Sequence, residues 1–231
     1  MYPRWKAVHR VNRGKCFWYW LRFLPHTMSV FRLYPRKGSS LATDYCTGNG
    51  QVIYKVSSRS RLTNKTLTVE RVQLNDTEED FQDRFREVGR LVISRIGKET
   101  IRMTGGEERK VTDIFKRKGW PKIDELAFAL RSKRVTWKLT SYGLKLARLD
   151  HGYTDVGSQG GNPPRIVAEY SPSGSRPSLL YIDTREIQEP SREDVDLIFV
   201  SFLYAETMRR AQEPRLMDRS SASNWLYTSM R

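Results

Sequence analysis

Three histidines and two cysteines are the first places to look for chemistry in this chain. His9 and His26 fall in the N-terminal leader, and His151, between Asp150 and Gly152, reads as a loop residue. Cys16 and Cys46 lack metal-ligand spacing, and two cysteines do not make a disulfide framework. Cys46, in Asp44-Tyr45-Cys46-Thr47, has no activating base nearby in sequence. The nucleophile-elbow, zinc-helix and Walker patterns are absent. Gly157 to Gly161 is followed by Asn162-Pro163-Pro164, so no Lys-Ser/Thr follows and no helix start offers free amides to a phosphate. The carboxylates Asp76, Glu78, Glu79, Asp80, Asp83 and Glu87 lack the glycine a calcium loop requires, and read as a solvated face. The side chains therefore predict no catalytic residue, no metal and no cofactor. The chain is expected not to be an enzyme, with an uncharacterised activity kept as an alternative.

Cations are the stronger signal. The chain carries 41 Lys+Arg against 26 Asp+Glu, a net charge of +15. Such a charge favours anionic partners: acidic lipid or phosphoinositide, nucleic acid, or an acidic protein. Lys116-Arg117-Lys118 and Lys122 surround Gly119-Trp120, and Arg131, Lys133, Arg134 and Lys138 lie on two adjoining strands. The candidate anion-binding set is Arg131, Lys133, Arg134 and Lys138, joined by Lys116 and Arg117. A phosphate suits such a cluster. The plain alternative is a scatter of solubilising charge. Alternation works against the set, because Lys133 and Arg134 point to opposite faces of a regular strand. A nucleic-acid site also wants exposed aromatics among the cations. Trp120 and Trp137 qualify by position, but Trp137 sits in an alternating strand and reads as core.

The elements that would carry these residues are mostly short strands. Apolar or alternating runs occur at Val30–Tyr34, Val52–Val56, Thr66–Val72, Val88–Ile96, Thr100–Thr104, Lys110–Phe115, Leu126–Leu130, Arg134–Leu139, Leu144–Leu149, Arg165–Tyr170 and Ser178–Ile182. Turn signals separate them, notably Gly48-Asn49-Gly50, Gly105-Gly106 and Ser141-Tyr142-Gly143. Thr77–Val88 reads equally as a helix, with Thr77 and Asp80 as a capping box, or as an exposed acidic loop. From Leu197 to Ala205 only Ser201 interrupts an apolar run. A helix apolar all round is buried all round, and this one is too short for a bilayer, which needs about 20 apolar residues. Ser191 and Asp194 fit a capping box at its start, Arg209-Arg210 suit its end, and Pro214 is expected to close it. A buried helix after many strands predicts a mainly β fold: a closed antiparallel barrel of about 12 strands around that helix.

Residues 1–27 hold Arg4, Lys6, Arg10, Arg13, Lys15 and Arg22 with no acid, among aromatics that include Phe17-Trp18-Tyr19-Trp20. They make a poor signal peptide. The leader is expected to be disordered or outside the domain, with an interfacial membrane anchor or a mitochondrial transit segment as alternatives. The domain is expected over 28–212, its helix over about 192–211, with 213–231 a polar, disordered tail. A cytoplasmic setting, peripheral at membranes, fits the cysteine count and the charge.

Several segments carry a resemblance: Gly50-Gln51-Val52-Ile53-Tyr54-Lys55-Val56, Lys65-Thr66-Leu67-Thr68-Val69-Glu70-Arg71, Val135-Thr136-Trp137-Lys138-Leu139, Ile166-Val167-Ala168-Glu169-Tyr170, and the closing Asp196 to Arg210. In this order, over about residues 28–210, they resemble a fungal, mostly basidiomycete, domain family of unknown function. That family in turn looks like the tubby C-terminal and phospholipid-scramblase group of folds. The resemblance implies a closed barrel around a central helix. Tubby relatives imply phosphoinositide binding and scramblase relatives imply membrane association. The resulting expectation is a non-enzymatic module binding anionic phospholipid, or a protein at a membrane surface, with nucleic-acid binding as the alternative.

Overall fold

Every residue from Ile198 to Glu206 is without solvent exposure. Successive helical residues turn by about 100°, so such a run covers every direction around the axis. Whatever packs on this helix must surround it. A computed structural model of the chain describes residues 30–36, 41–73, 84–94, 96–119, 123–131, 133–148, 164–172, 178–187 and 190–228, and there the surround is a single antiparallel sheet. Its strands are β1 (Val30–Pro35), β2 (Asp44–Cys46), β3 (Val52–Ser60), β4 (Asn64–Gln73), β5 (Arg84–Ser94), β6 (Thr100–Met103), β7 (Arg109–Lys110), β8 (Lys116–Lys118), β9 (Glu125–Leu130), β10 (Lys133–Thr140), β11 (Gly143–Arg148), β12 (Arg165–Ser171) and β13 (Leu179–Asp183). A short helix α1 (Val111–Ile114) lies between β7 and β8, a 3-10 turn follows β13, and α2 (Arg192–Thr228) comes after all the strands.

The 13 strands form one sheet in the order β7-β6-β5-β4-β3-β2-β1-β13-β12-β11-β10-β9-β8. The two edges, β7 and β8, are neighbours in the chain, joined only through α1 and Phe115. No ladder pairs them among the described residues, so the sheet is not closed by hydrogen bonds, in contrast to the closed barrel the sequence led us to expect. Side chains span the gap instead. Arg117 on β8 forms an ion pair with Glu99, just ahead of β6, while the Val111 amide, donating to the Glu99 carbonyl at 2.9 Å, continues the β6–β7 pairing.

Contacts with α2 come from across the sheet. The Phe199 ring stacks on Tyr54 of β3 at 4.0 Å and meets Tyr45 of β2 edge-on at 4.9 Å. Phe202 lies 4.8 Å from Tyr170 of β12. Gly89 of β5 lets Val200 come so close that a Cβ there would stand 2.7 Å from Val200 Cγ2. Tyr204 stacks on Phe115 at 5.3 Å. Of the helix residues expected in the core, Leu197 alone is half-buried.

Most expected strands are present within a residue or two. The exceptions have physical reasons. Lys110–Phe115 is not a strand: β7 stops at Lys110 and α1 follows, because Val111 and Phe115, four apart, both bury on one side of a helical turn. In Thr77–Val88, residues 77–83 lie outside the described residues and the remainder opens β5, where Phe85 pairs with Val72 of β4. The three-residue strands β2 and β8 are too short to show a period. The capping box at Ser191 is present. Its amide donates to Asp194 Oδ2 at 2.7 Å, and the Asp194 amide donates to Ser191 Oγ at 3.2 Å. The helix nonetheless continues past Pro214 to Thr228, beyond the stop expected near 211. The leader, residues 1–27, lies outside the described residues.

Candidate functional site

The strand directions give the sheet two ends. At one end α2 begins, beside Arg71 and Tyr54, and at the other it leaves, with Gln212 Nε2 donating to the Ile123 carbonyl at 3.2 Å. The turns β3–β4, β5–β6, β8–β9 and β10–β11 all lie at the exit end, as the antiparallel pairings require.

Inside, polar groups are anchored to one another along the helix. Tyr54 and Arg71 are cross-strand partners, and both reach Asp196. The Tyr54 hydroxyl donates to Oδ1 at 2.8 Å and Arg71 pairs with Oδ2 at 2.7 Å. Burial raises the Asp196 carboxyl above the usual range, with Arg71 acting against that, and burial beside Asp196 pushes the Tyr54 phenol well up. Trp137 Nε1 donates to Ser201 Oγ at 2.9 Å, and Ser201 Oγ donates to the Ile198 carbonyl at 2.8 Å. The Tyr204 hydroxyl donates to Glu99 at 2.8 Å, with Arg117 on both groups. Glu206, fully buried, takes Arg209 at 2.7 Å and Arg210 at 2.7 Å. A phenol that stays protonated is a poor base, and each carboxylate here already has its cations, so the groups at Asp196, Ser201 and Tyr204 fasten the helix to the sheet, while Glu206 pairs within the helix. Among the described residues, no three His, Cys, Asp or Glu side chains gather into a metal cage. No helix there is long and apolar enough to cross a membrane.

The six cations picked out by sequence are not brought onto one surface. Arg131 occupies the β9–β10 turn with φ of 53° and pairs with Asp194 at 2.8 Å, at the start of α2. Arg117 points inward to Glu99 and Tyr204. Lys133 has the parity of the inward-facing Val135 and Trp137, while Arg134 and Lys138 face out. Lys116 shares the outer face with Ala127 opposite it. Residues directly across a ladder share a face, and the register aligns one outer row: Lys118, Glu125, Lys138, Lys145, Glu169, Tyr181 and Arg32. Lys118 and Glu125 pair at 3.4 Å, and Lys145 and Glu169 at 3.3 Å. Lys138 thus belongs to a row of mixed sign.

Cations missed by sequence reasoning stand at the exit end. Arg59 and Arg61 at the β3–β4 turn and Lys98 at the β5–β6 turn are exposed, and none has an ion-pair partner among the described residues. Asn64 of β4 faces Ser94 of β5, which sets the two turns side by side. Lys65, facing inward next to them, is half-buried, and burial together with Arg210 lowers its pKa. They are spread thinly along the chain, and only the register gathers them.

A family model described as "Family of unknown function (DUF6593)" matches residues 38–211. No curated protein and no solved structure matches the chain.

Proposed function

We propose that this chain, which belongs to the DUF6593 family of unknown function, is a non-enzymatic binding module for anionic surfaces, acidic phospholipid first among them. The observation that carries the reading is the contrast between two sets of charges. Carboxylates at Asp196 and Glu99 are matched to cations that tie helix and sheet together, and buried Glu206 is matched to Arg209 and Arg210 within the helix. The exposed Arg59, Arg61 and Lys98 are left over at one end, in a chain of net charge +15. Each such cation contributes on the order of 1 kcal/mol near an acidic membrane. Trp137 is spent on Ser201 inside the wrap and offers no stacking platform to a nucleic acid.

The finer architecture belongs to the same proposal. A wrap closed at the β7–β8 seam, like the tubby and scramblase folds, is supported by the all-round burial of α2 and by the Arg117–Glu99 bridge. A buried, free Cys46 agrees with a reducing compartment.

The test is co-sedimentation of the full chain with phosphatidylcholine vesicles, with and without phosphatidylserine, beside an oligonucleotide at the same salt. Binding to the acidic vesicles alone is the expected result. Binding to the oligonucleotide alone would replace this reading with a nucleic-acid one, and binding to neither would remove it.

A further inference from the structure

Large apolar side chains on a folded surface are ordinarily scattered and need no account. Among the described residues, the exposed large hydrophobic ones are Leu62, Ile96 and Tyr142, at 99%, 85% and 88% exposure. Leu62 lies in the β3–β4 turn, Ile96 in the β5–β6 turn and Tyr142 in the β10–β11 turn. All these turns stand at the exit end of the sheet. The first two turns are neighbours, and the β10–β11 turn lies far from them in the sheet order, yet the same rim presents all three.

The tips are built, not loose. The Arg61 amide donates to the Asn64 carbonyl at 2.7 Å and closes the first turn. Ser94 Oγ accepts the Ile96 and Gly97 amides at 3.3 and 2.7 Å and holds the second. In the third, Gly143 has φ of +146°, and a Cβ there would stand 2.1 Å from the Tyr170 carbonyl oxygen, so only glycine completes that turn. The Thr140 hydroxyl also donates to the Gly143 carbonyl at 3.0 Å.

The segments that carry the tips bring cations and no carboxylate of their own. Residues 57–69, 91–98 and 139–146 contain no acid. Arg59 and Arg61 precede Leu62, and Lys98 stands two residues after Ile96. Lys65 lies half-buried beside them.

We propose that the exit end of the sheet docks on an anionic bilayer, with Leu62, Ile96 and Tyr142 entering the headgroup region while Arg59, Arg61 and Lys98 meet the lipid phosphates. A bilayer is the occupant that fits. A soluble polyanion would use the cations but gain nothing from the apolar tips. A protein groove would engage one turn or an adjacent pair, whereas a flat partner reaches tips spread around a rim. Leu and Ile at a membrane gain by burial, and Tyr favours the interface. This assignment rests on the anionic-surface reading above and adds the face and the mode of contact.

The experiment compares the full chain with L62S/I96S/Y142S and with R59S/R61S/K98S on phosphatidylcholine–phosphatidylserine vesicles. The substituted side chains are exposed, so melting temperatures should match the parent's and establish that the variants fold. Loss of the tips should weaken binding by about tenfold for each aliphatic side chain removed. Loss of the cations should weaken it by about fivefold each, and that loss alone should shrink as salt rises. The parent, and not the tip variant, should raise the surface pressure of a phosphatidylserine monolayer. Equal binding by parent and tip variant overturns this inference and leaves the anionic-surface reading standing. Failure of the parent to bind acidic vesicles overturns both.

Discussion

At the scale of single residues, the side chains around α2 set the largest expected effects. Phe199 lies against Tyr54 and Tyr45 without exposure. Phe199→Ala should cost roughly 3–5 kcal/mol in urea unfolding, since the walls of a sheet cannot collapse into the cavity. Glu206→Ala should cost somewhat less, about 1–3 kcal/mol, because buried Arg209 loses one carboxylate and keeps only the half-exposed Glu213. This loss should change little with salt, as both charges lie away from water. Asp196 gives a pH signature. Its folded pKa is raised, so the folded state holds the proton more tightly than the unfolded chain. The stability it contributes is therefore present at low pH and is lost as pH rises from about 4, the ordinary aspartate value, through the raised folded value. Unfolding across that range should show the parent falling relative to Asp196→Asn, and a parent that gains on the variant with rising pH would contradict the assignment.

At the scale of elements, the contact between α2 and β5 is the narrowest in the fold. Gly89→Ala places a methyl against the stiff, buried Val200 and should cost about 1–3 kcal/mol. Val200→Ala makes room, so the double variant should be more stable than the sum of the single changes predicts. A double-mutant cycle with no coupling would show that the helix shifts freely at this point. This contact was invisible in the sequence, where Gly89 lies inside the Val88–Ile96 run with nothing to mark it. The helix itself was legible, because an apolar run with Ser191 and Asp194 ahead of it admits few alternatives. Ser201 read as an interruption, yet it is where Trp137 bonds. Strands of five residues or more were legible from alternation, whereas β2, β7 and β8, of two or three residues, carry no period at all. The candidate site was less legible. Run-length clustering singled out Arg131 and Arg117, which the fold uses as fasteners, because charge density along a chain says nothing about which charges meet a carboxylate. Arg59, Arg61 and Lys98 belong together only through the pairing of Asn64 with Ser94.

At the scale of the whole molecule, charge and shape act together. Binding to acidic vesicles by the exit end should fall steeply with ionic strength, because the Debye length is about 10 Å at 0.1 M salt and the cations are exposed. A residual, salt-insensitive part should remain from the apolar tips, and a sedimentation series in rising salt separates the two. The order of the elements has a further consequence, for how the chain acquires its fold. Thirteen strands precede the one helix that fills their interior. While the polypeptide is being made, a nearly complete sheet exists with nothing inside it: Tyr45, Tyr54, Trp137 and Tyr170 face a void, and β7 and β8 lie unpaired at its edges. Partners such as Tyr54 and Asp196 stand 142 residues apart, a separation that slows folding and prolongs that exposed interval. Newborn copies should thus lean on holding chaperones until α2 emerges, and a stop codon ahead of Arg192 should yield aggregate, not a weakened fold.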